Sequence, residues 1–313
     1  MRIFVTGASG WIGSHVVPEL QEAGHQVLGL ARSDASALAL QSAGVQVVRG
    51  SLDEPDALCA AAQSADGVIH LAFRHDLAFA GQMPAAVQVD LATIAAFGEA
   101  LEGSDKPFVL ASGLLGLSPG RVSTEQDRRP DAQQDADAGV ESSEFTGDRH
   151  RNALATLELA DRGVRAVVVR LPPTCHGEGD KGFVPTLIAK ARDTGSAGYL
   201  GDGSNRWPAG HVLDVARLFR LAAEKAPAGT VLHANTEEGV PAREIAEAIG
   251  RHLEVPVAQV PDAEAQDKLG WIAGPFSLDS PASSSATQEL LGWQPSHPDL
   301  IADLDQGHYF RRQ

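Results

Sequence analysis

The eight residues TGASGWIG, Thr6 to Gly13, constrain the fold of this chain more than any other stretch. They follow a short apolar run, Arg2 to Thr6, and open an Ala/Leu/Glu-type helical segment. Each glycine has its own physical reason. Gly7 permits a tight turn at the strand end. Gly10 carries no side chain to hold a ligand off the backbone, and Gly13 lets the helix pack closely on the strand. The helix start then offers free N–H groups and a partial positive charge to phosphates, with Trp11 and Ile12 beside them. A bare Gly-x-x-Gly-x-x-Gly says little. In a strand–turn–helix context it predicts a pyrophosphate cradle.

The pattern that follows repeats that unit. Apolar runs at Gln26 to Ala31, Val45 to Val48, Gly67 to Ala72 and Phe108 to Ala111 read as buried strands. Between them, Trp11 to Ala23, Asp34 to Ala43, Glu54 to Gln63 and Pro84 to Leu101 have helical spacing. This alternation predicts an α/β fold, a doubly wound parallel sheet with helices on both faces. Pro18 falls inside the first helix, at a cost unless the helix kinks. From Gly120 to Gly147 the chain is polar and reads as a loop, and GDRHRNALATLE, Gly147 to Glu158, as a helix after it. A sixth strand spans Val164 to Arg170. Beyond Leu171 the alternation stops, leaving helical segments at Val184 to Arg192, Asp214 to Lys225 and Val240 to Leu253. We therefore expect a dinucleotide-binding Rossmann domain over 1–170. A smaller substrate-binding region over 171–313 would send some elements back to it.

The end of the second strand bears on cofactor choice. An NAD site usually places an acid about 20 residues past the glycines, to hold the ribose 2′-hydroxyl. Here Arg32 and Ser33 stand at that point and Asp34 comes later. A guanidinium pairs with a 2′-phosphate, and a serine can donate to it. The reading is NADP(H) rather than NAD(H), with Arg32 as a solvated loop residue the alternative.

Composition narrows the partners. A net charge of −16 over 313 residues argues against nucleic acid or an anionic membrane. Cys59 and Cys175 have no metal-ligand spacing, so no metal site is expected. No apolar run is long enough to span a bilayer and no leader precedes the first strand, so the expected location is the cytoplasm.

Taken together these motifs resemble the short-chain dehydrogenase/reductase superfamily, close to its extended branch of epimerases, dehydratases and ketone reductases. TGASGWIG is similar to that branch's glycine pattern. HLAF at 70–73 and ASG at 111–113 fall where its fourth and fifth strands meet the nicotinamide end. RLPPTCHG at 170–177 resembles its R-P-x-x-x-Y-G segment, HVLDVA at 211–216 its H-V-x-D-V-A, and LLGWQP at 290–295 its L-G-W-x-P. The resemblance implies further cofactor contacts from Ser51, Leu52, Leu71, Ala72, Phe73, Pro172 and Pro173, and a homodimer built from the Ala-rich segments Ala85 to Leu101 and Ala153 to Ala160. One feature departs from the pattern. The usual Tyr-x-x-x-Lys pair is missing: the two tyrosines, Tyr199 and Tyr309, are followed four residues on by Gly203 and Gln313.

A carbonyl reduction then needs another proton donor. Ser112 resembles the family's serine that bonds the substrate oxygen. His150 falls at the tyrosine position in one register and titrates near neutral pH; Arg149 or Arg151 could supply charge near the ribose. The alternative for this helix start is a solvated face. On the substrate side, His75 and His176 flank the expected nicotinamide end. Arg206 and Trp207 offer charge and a flat surface, or Trp207 anchors its loop to the core. Trp271 and Trp293 read as core or interface. The leading function is an NADP(H)-dependent oxidoreductase acting on a small carbonyl or hydroxyl compound through a non-standard acid. The alternatives are a non-catalytic NADP sensor and a cofactor-recycling epimerase or dehydratase.

Overall fold

The computed structural model describes residues 1–127 and 144–311. Strands β1 (Arg2–Thr6), β2 (Gln26–Ala31), β3 (Gln46–Arg49), β4 (Gly67–His70), β5 (Pro107–Gly113), β6 (Arg165–Leu171) and β10 (Thr230–His233) form one sheet in the order β10-β6-β5-β4-β1-β2-β3. Every neighbouring pair is parallel. Their centres are apolar on both faces because helices cover both. On one face lie α1 (Gly13–Glu22) and α8 (Val212–Lys225), whose Val16, Leu20, Val215 and Phe219 close on Ile3, Ile69 and Val167. On the other lie α3 (Pro55–Ser64), α5 (Met83–Leu101) and α6 (Glu144–Glu158), packed through Leu58, Phe97 and Leu157 onto Phe4, Phe108 and Val168. The helices α2 (Asp34–Ser42), α4 (His75–Phe79), α7 (Phe183–Thr194) and α9 (Ala242–Leu253) complete the set used below.

The strand order reverses between β1 and β4. Loops leaving the carboxyl ends of the strands part there, which opens a crevice at the topological switch point. α1 starts at Gly13, two residues later than its pattern suggests, because the glycine turn needs Trp11 and Ile12; Pro18 is accommodated inside it. β4 ends at His70, not Ala72. α6 starts at Glu144, inside the stretch expected to be loop; the remainder of that loop, from 128 to 143, lies outside the described residues.

The C-terminal region differs most from the sequence reading. β10 returns to the main sheet as its seventh strand, and α8 packs against α1. Two small sheets went unread: β7 (Thr174–His176), β9 (Arg206–His211) and β11 (Glu237–Pro241) form one, and β8 (Ala197–Leu200) with β12 (Val257–Val260) the other. Their strands span three to six residues, too short for alternation to stand out. A separate core of Val184, Ile188, Trp207, Ile245, Ile249 and Phe276 holds this region together. Trp293 is instead fully buried in the main-sheet core against α8, its indole donating to the Asp214 carbonyl, whereas Trp271 is 45% exposed rather than core.

Candidate functional site

The glycine turn is built as its residues require. Gly7 sits at φ +69°, and a Cβ there would lie 2.8 Å from the Ala72 backbone nitrogen. A Cβ on Gly13 would lie 2.1 Å from the Gly7 carbonyl oxygen, so only glycine lets α1 approach β1 this closely. α1 has no side-chain N-cap: the Ser14 and His15 amides bond the Gly10 and Ile12 carbonyls, and Trp11, Ile12 and Gly13 at the helix start line the crevice.

A single cleft of about 850 Å³ runs along the strand ends. Gly7, Gly10, Trp11, Ile12 and Gly13 line it, and so do Arg32, Ser33, Ser51, Leu52, Leu71, Ala72, Phe73, Pro172 and Pro173. Ser112, His150 and His75 line it too, although they come from three different elements. His176, Arg206 and Trp207 are not among its lining residues. His176 is fully buried and bonds Asp303 Oδ2 at 2.9 Å. Arg206 forms a bidentate pair with Asp279, at 3.0 and 2.9 Å. Trp207 is 1% exposed and donates its indole N–H to the Pro275 carbonyl. His176 and Arg206 were expected on the substrate side, and Trp207 either there or anchoring its loop; all three tie the C-terminal region together, since a buried or fully paired polar group is already satisfied.

At the β2 end, the Arg32 guanidinium is 66% exposed and lies 3.7 Å from Asp76. The Ser33 hydroxyl is engaged locally. It caps α2 by accepting from the Ser36 amide, with Ser36 bonding back. Asp34 is held by Arg49 at 2.6 Å. Arg74 clamps Asp53 and Asp76, and this bonding holds the Asp76 carboxyl down at about 2.

At the β5 end, the Ser112 hydroxyl is 3% exposed and has no hydrogen-bond partner among the described residues. A buried hydroxyl left open in a cleft is an unmet demand that a ligand oxygen can meet. His150 is only 6% exposed, so it does not sit on a solvated face, whereas Arg151 beside it is exposed. Behind it runs a buried polar chain. Thr6 bonds His70, whose Nε2 lies 3.2 Å from Asp90 Oδ1, and Asn152 donates to Asp90 Oδ2 at 2.7 Å and to the Val87 carbonyl at 3.0 Å. Burial pushes the Asp90 carboxyl up, but the His70 and Asn152 bonds win and it sits below its ordinary value. This chain ties β1, β4, α5 and α6 together directly beneath the cleft floor.

Sequence reasoning missed one wall. Asp180 lines the cleft, accepting from the Gly182 amide at 2.7 Å and from the Tyr309 hydroxyl at 3.1 Å. The Gly177 amide donates to that hydroxyl at 3.0 Å. Burial pushes the Asp180 carboxyl up to about 6, so it exchanges its proton within about a unit of neutral pH and is mostly ionised above it. A carboxylate inside the Gly-rich CHGEGDKG was a weak signal. Its partner stands 129 residues further on, beyond any local pattern.

These residues fit a nicotinamide dinucleotide: a glycine cradle that a Cβ would fill, an uncapped helix start, and an unbonded hydroxyl at the far end. The comparisons agree with the geometry. An uncharacterized protein of Schizosaccharomyces pombe is 43% identical over 99% of this chain and 100% of its own length. A 4-hydroxy-2-methyl-3-oxo-4-farnesyl-3,4-dihydroquinoline-1-oxide ketoreductase of Stigmatella aurantiaca is 30% identical over 74% of this chain and 67% of its own. The solved dTDP-glucose 4,6-dehydratase DesIV of Streptomyces venezuelae, with NAD bound, shares the fold at a TM-score of 0.77 and 18% identity, covering 98% of this chain and 96% of that one. The model of the NAD dependent epimerase/dehydratase family matches residues 3–102 and 149–234, and with the full-length relative it shows that this chain belongs to that family.

Proposed function

We propose that this protein is an NADP(H)-dependent oxidoreductase that reduces a small carbonyl compound or oxidises the matching alcohol. The observation that carries the reading is that one cleft joins the glycine turn to the unbonded Ser112 hydroxyl. Bound there, the nicotinamide supplies or accepts the hydride. The protein's own part is to position and to move a proton. The uncapped start of α1 holds the pyrophosphate. Arg32, little constrained by its long contact with Asp76, turns to the 2′-phosphate. Ser112 bonds the substrate oxygen, and His150 or a water passes the proton through it. The absence of the Tyr-x-x-x-Lys pair is the feature that favours the second reading, a non-catalytic NADP sensor.

An NADPH oxidation screen over aldehydes, ketones, imines and enones tests the choice. Turnover above a Gly10→Trp control supports the enzyme; NADPH binding with no turnover across the panel favours the sensor. Cofactor preference is tested separately. Arg32→Ala should weaken NADPH by about tenfold or more, the value of roughly 1.5–3 kcal/mol for a charged contact, and leave NADH nearly unchanged. Equal wild-type affinity for the two cofactors would defeat the NADP assignment.

We also propose a homodimer through α5 and α6. Ala85, Ala92 and Ala95 form an exposed stripe of small residues on α5, interrupted by Gln88, which permits close approach of a second copy. Nucleic acid and membrane are not proposed partners. No helix among the described residues is long and apolar enough to cross a membrane.

A further inference from the structure

Arg149 occupies the same end of the cleft as Ser112, and among the described residues it forms no ion pair. Its guanidinium lies 4.4 Å over the Phe73 ring, which fixes the plane of the fork. Nη2 makes one long contact, 3.5 Å, to the carbonyl of Ala111, the residue before Ser112. No carboxylate among the described residues stands within ion-pair distance of it. The acid it feels is Asp90, and both oxygens of Asp90 are already taken by His70 and Asn152. Burial lowers the Arg149 pKa from its ordinary value, as expected for a cation without a close counter-charge. The chain has 41 acidic residues against 25 Lys and Arg, and it pairs Arg74, Arg162, Arg206 and Arg220 with them. For this one, in the cleft, no ion pair is formed among the described residues, and the one acceptor it reaches is the Ala111 carbonyl, at 3.5 Å. Burying such a charge is costly unless an anion arrives with the ligand. A planar, stacked guanidinium matches the two oxygens of a carboxylate.

We propose that Arg149 is the substrate anchor, and that the cleft takes a carbonyl compound bearing a carboxylate, an oxo acid. This rests on the hydride-transfer reading of the cleft. The carboxylate docks on Arg149, and the carbonyl is presented toward the Ser112 hydroxyl. The competing source of an anion is the dinucleotide itself, whose phosphates the glycine turn already accommodates.

The test is binding, measured by calorimetry without turnover. Acetate, propanoate, acetoacetate and benzoate, with acetamide and methyl acetoacetate as neutral partners, are titrated into the wild type, Arg149→Met and Arg149→Lys, with and without saturating NADPH. Circular dichroism checks the fold, and Arg149→Gln replaces the methionine variant if that one does not fold. At least one acid should bind the wild type about tenfold or more tightly than Arg149→Met, with partial recovery in Arg149→Lys and NADPH affinity changed less than about twofold. Three results would overturn the proposal: no acid distinguishes wild type from variant; a neutral partner binds as well as its acid; or NADPH alone is weakened, which assigns the anion site to the cofactor. Acetoacetate bound through Arg149, with no turnover of it or of any compound in the NADPH screen, defeats the oxidoreductase reading and leaves the anchor standing. Turnover of neutral ketones with no acid bound does the reverse.

Discussion

Replacing Asp180 by Asn should stabilise this protein, and only above a certain pH. In the folded chain the Asp180 carboxyl is pushed up to about 6 by burial, against an ordinary value of 3.8. Below both values the group is protonated whether the chain is folded or not, so it has no effect on stability. As pH rises from about 4 to 6 the unfolded chain ionises it and the folded chain resists. Folding therefore loses free energy across that window, and the full cost remains above it. A rise from 3.8 to about 6 is worth about 3 kcal/mol. Partial exposure and nearby Asp303 and His176 reduce what can be recovered, and we take about 1–2 kcal/mol. An asparagine keeps the geometry: its carbonyl accepts from the Gly182 amide, and its N–H₂ donates to the Tyr309 hydroxyl. At roughly 2 °C per kcal/mol for a chain of this size, the variant should melt about 2–4 °C higher than wild type at pH 8 and level with it at pH 4. Differential scanning calorimetry of both proteins across that range measures the difference directly, since other groups titrate alike in both. A melting difference that is constant with pH, or a variant less stable at pH 8 than at pH 4 relative to wild type, would refute the argument that burial raises this carboxyl.

If His150 is the proton donor, His150→Phe should lower turnover by about a hundredfold or more while NADPH affinity barely changes, and the wild-type rate should fall as pH rises through the histidine pKa. A large loss in Ser112→Ala with a silent His150→Phe means that the serine and a water carry the proton; wild-type rates in both variants remove both residues from the mechanism. Light scattering at micromolar concentration should give twice the mass of one chain, and a monomer there contradicts the α5–α6 dimer.

Much of the cofactor half was legible because its signals are local. Gly7 and Gly13 are required by backbone contacts within a few residues of the turn and with the segment just past β4, and with Gly10 they mark the turn without any knowledge of the rest of the chain. The strand–helix alternation of the first 110 residues settled the parallel sheet for the same reason, since the inner strands are buried on both faces and read as apolar runs, with only the edge strand β3 more exposed. Strand ends then carried Ser112, Leu71 and Pro172 to the crevice, because a parallel sheet delivers all its carboxyl ends to one edge.

The substrate half was not legible in that way. Arg206, Trp207 and His176 have the residue types of a binding site, but Asp279, Pro275 and Asp303 claim them from 73, 68 and 127 residues away. The opposite held for Arg149 and Asp180. Nothing in the neighbouring sequence distinguishes a guanidinium with no ion pair among the described residues from one on a solvated helix, or a carboxyl raised by burial from an ordinary loop acid. The sequence by itself determined the dinucleotide turn and the sheet that holds it, through sterics acting over a few residues. Only the tertiary structure decided which polar groups were left unsatisfied in the cleft, because satisfaction depends on which distant chain segments supply, or fail to supply, a partner.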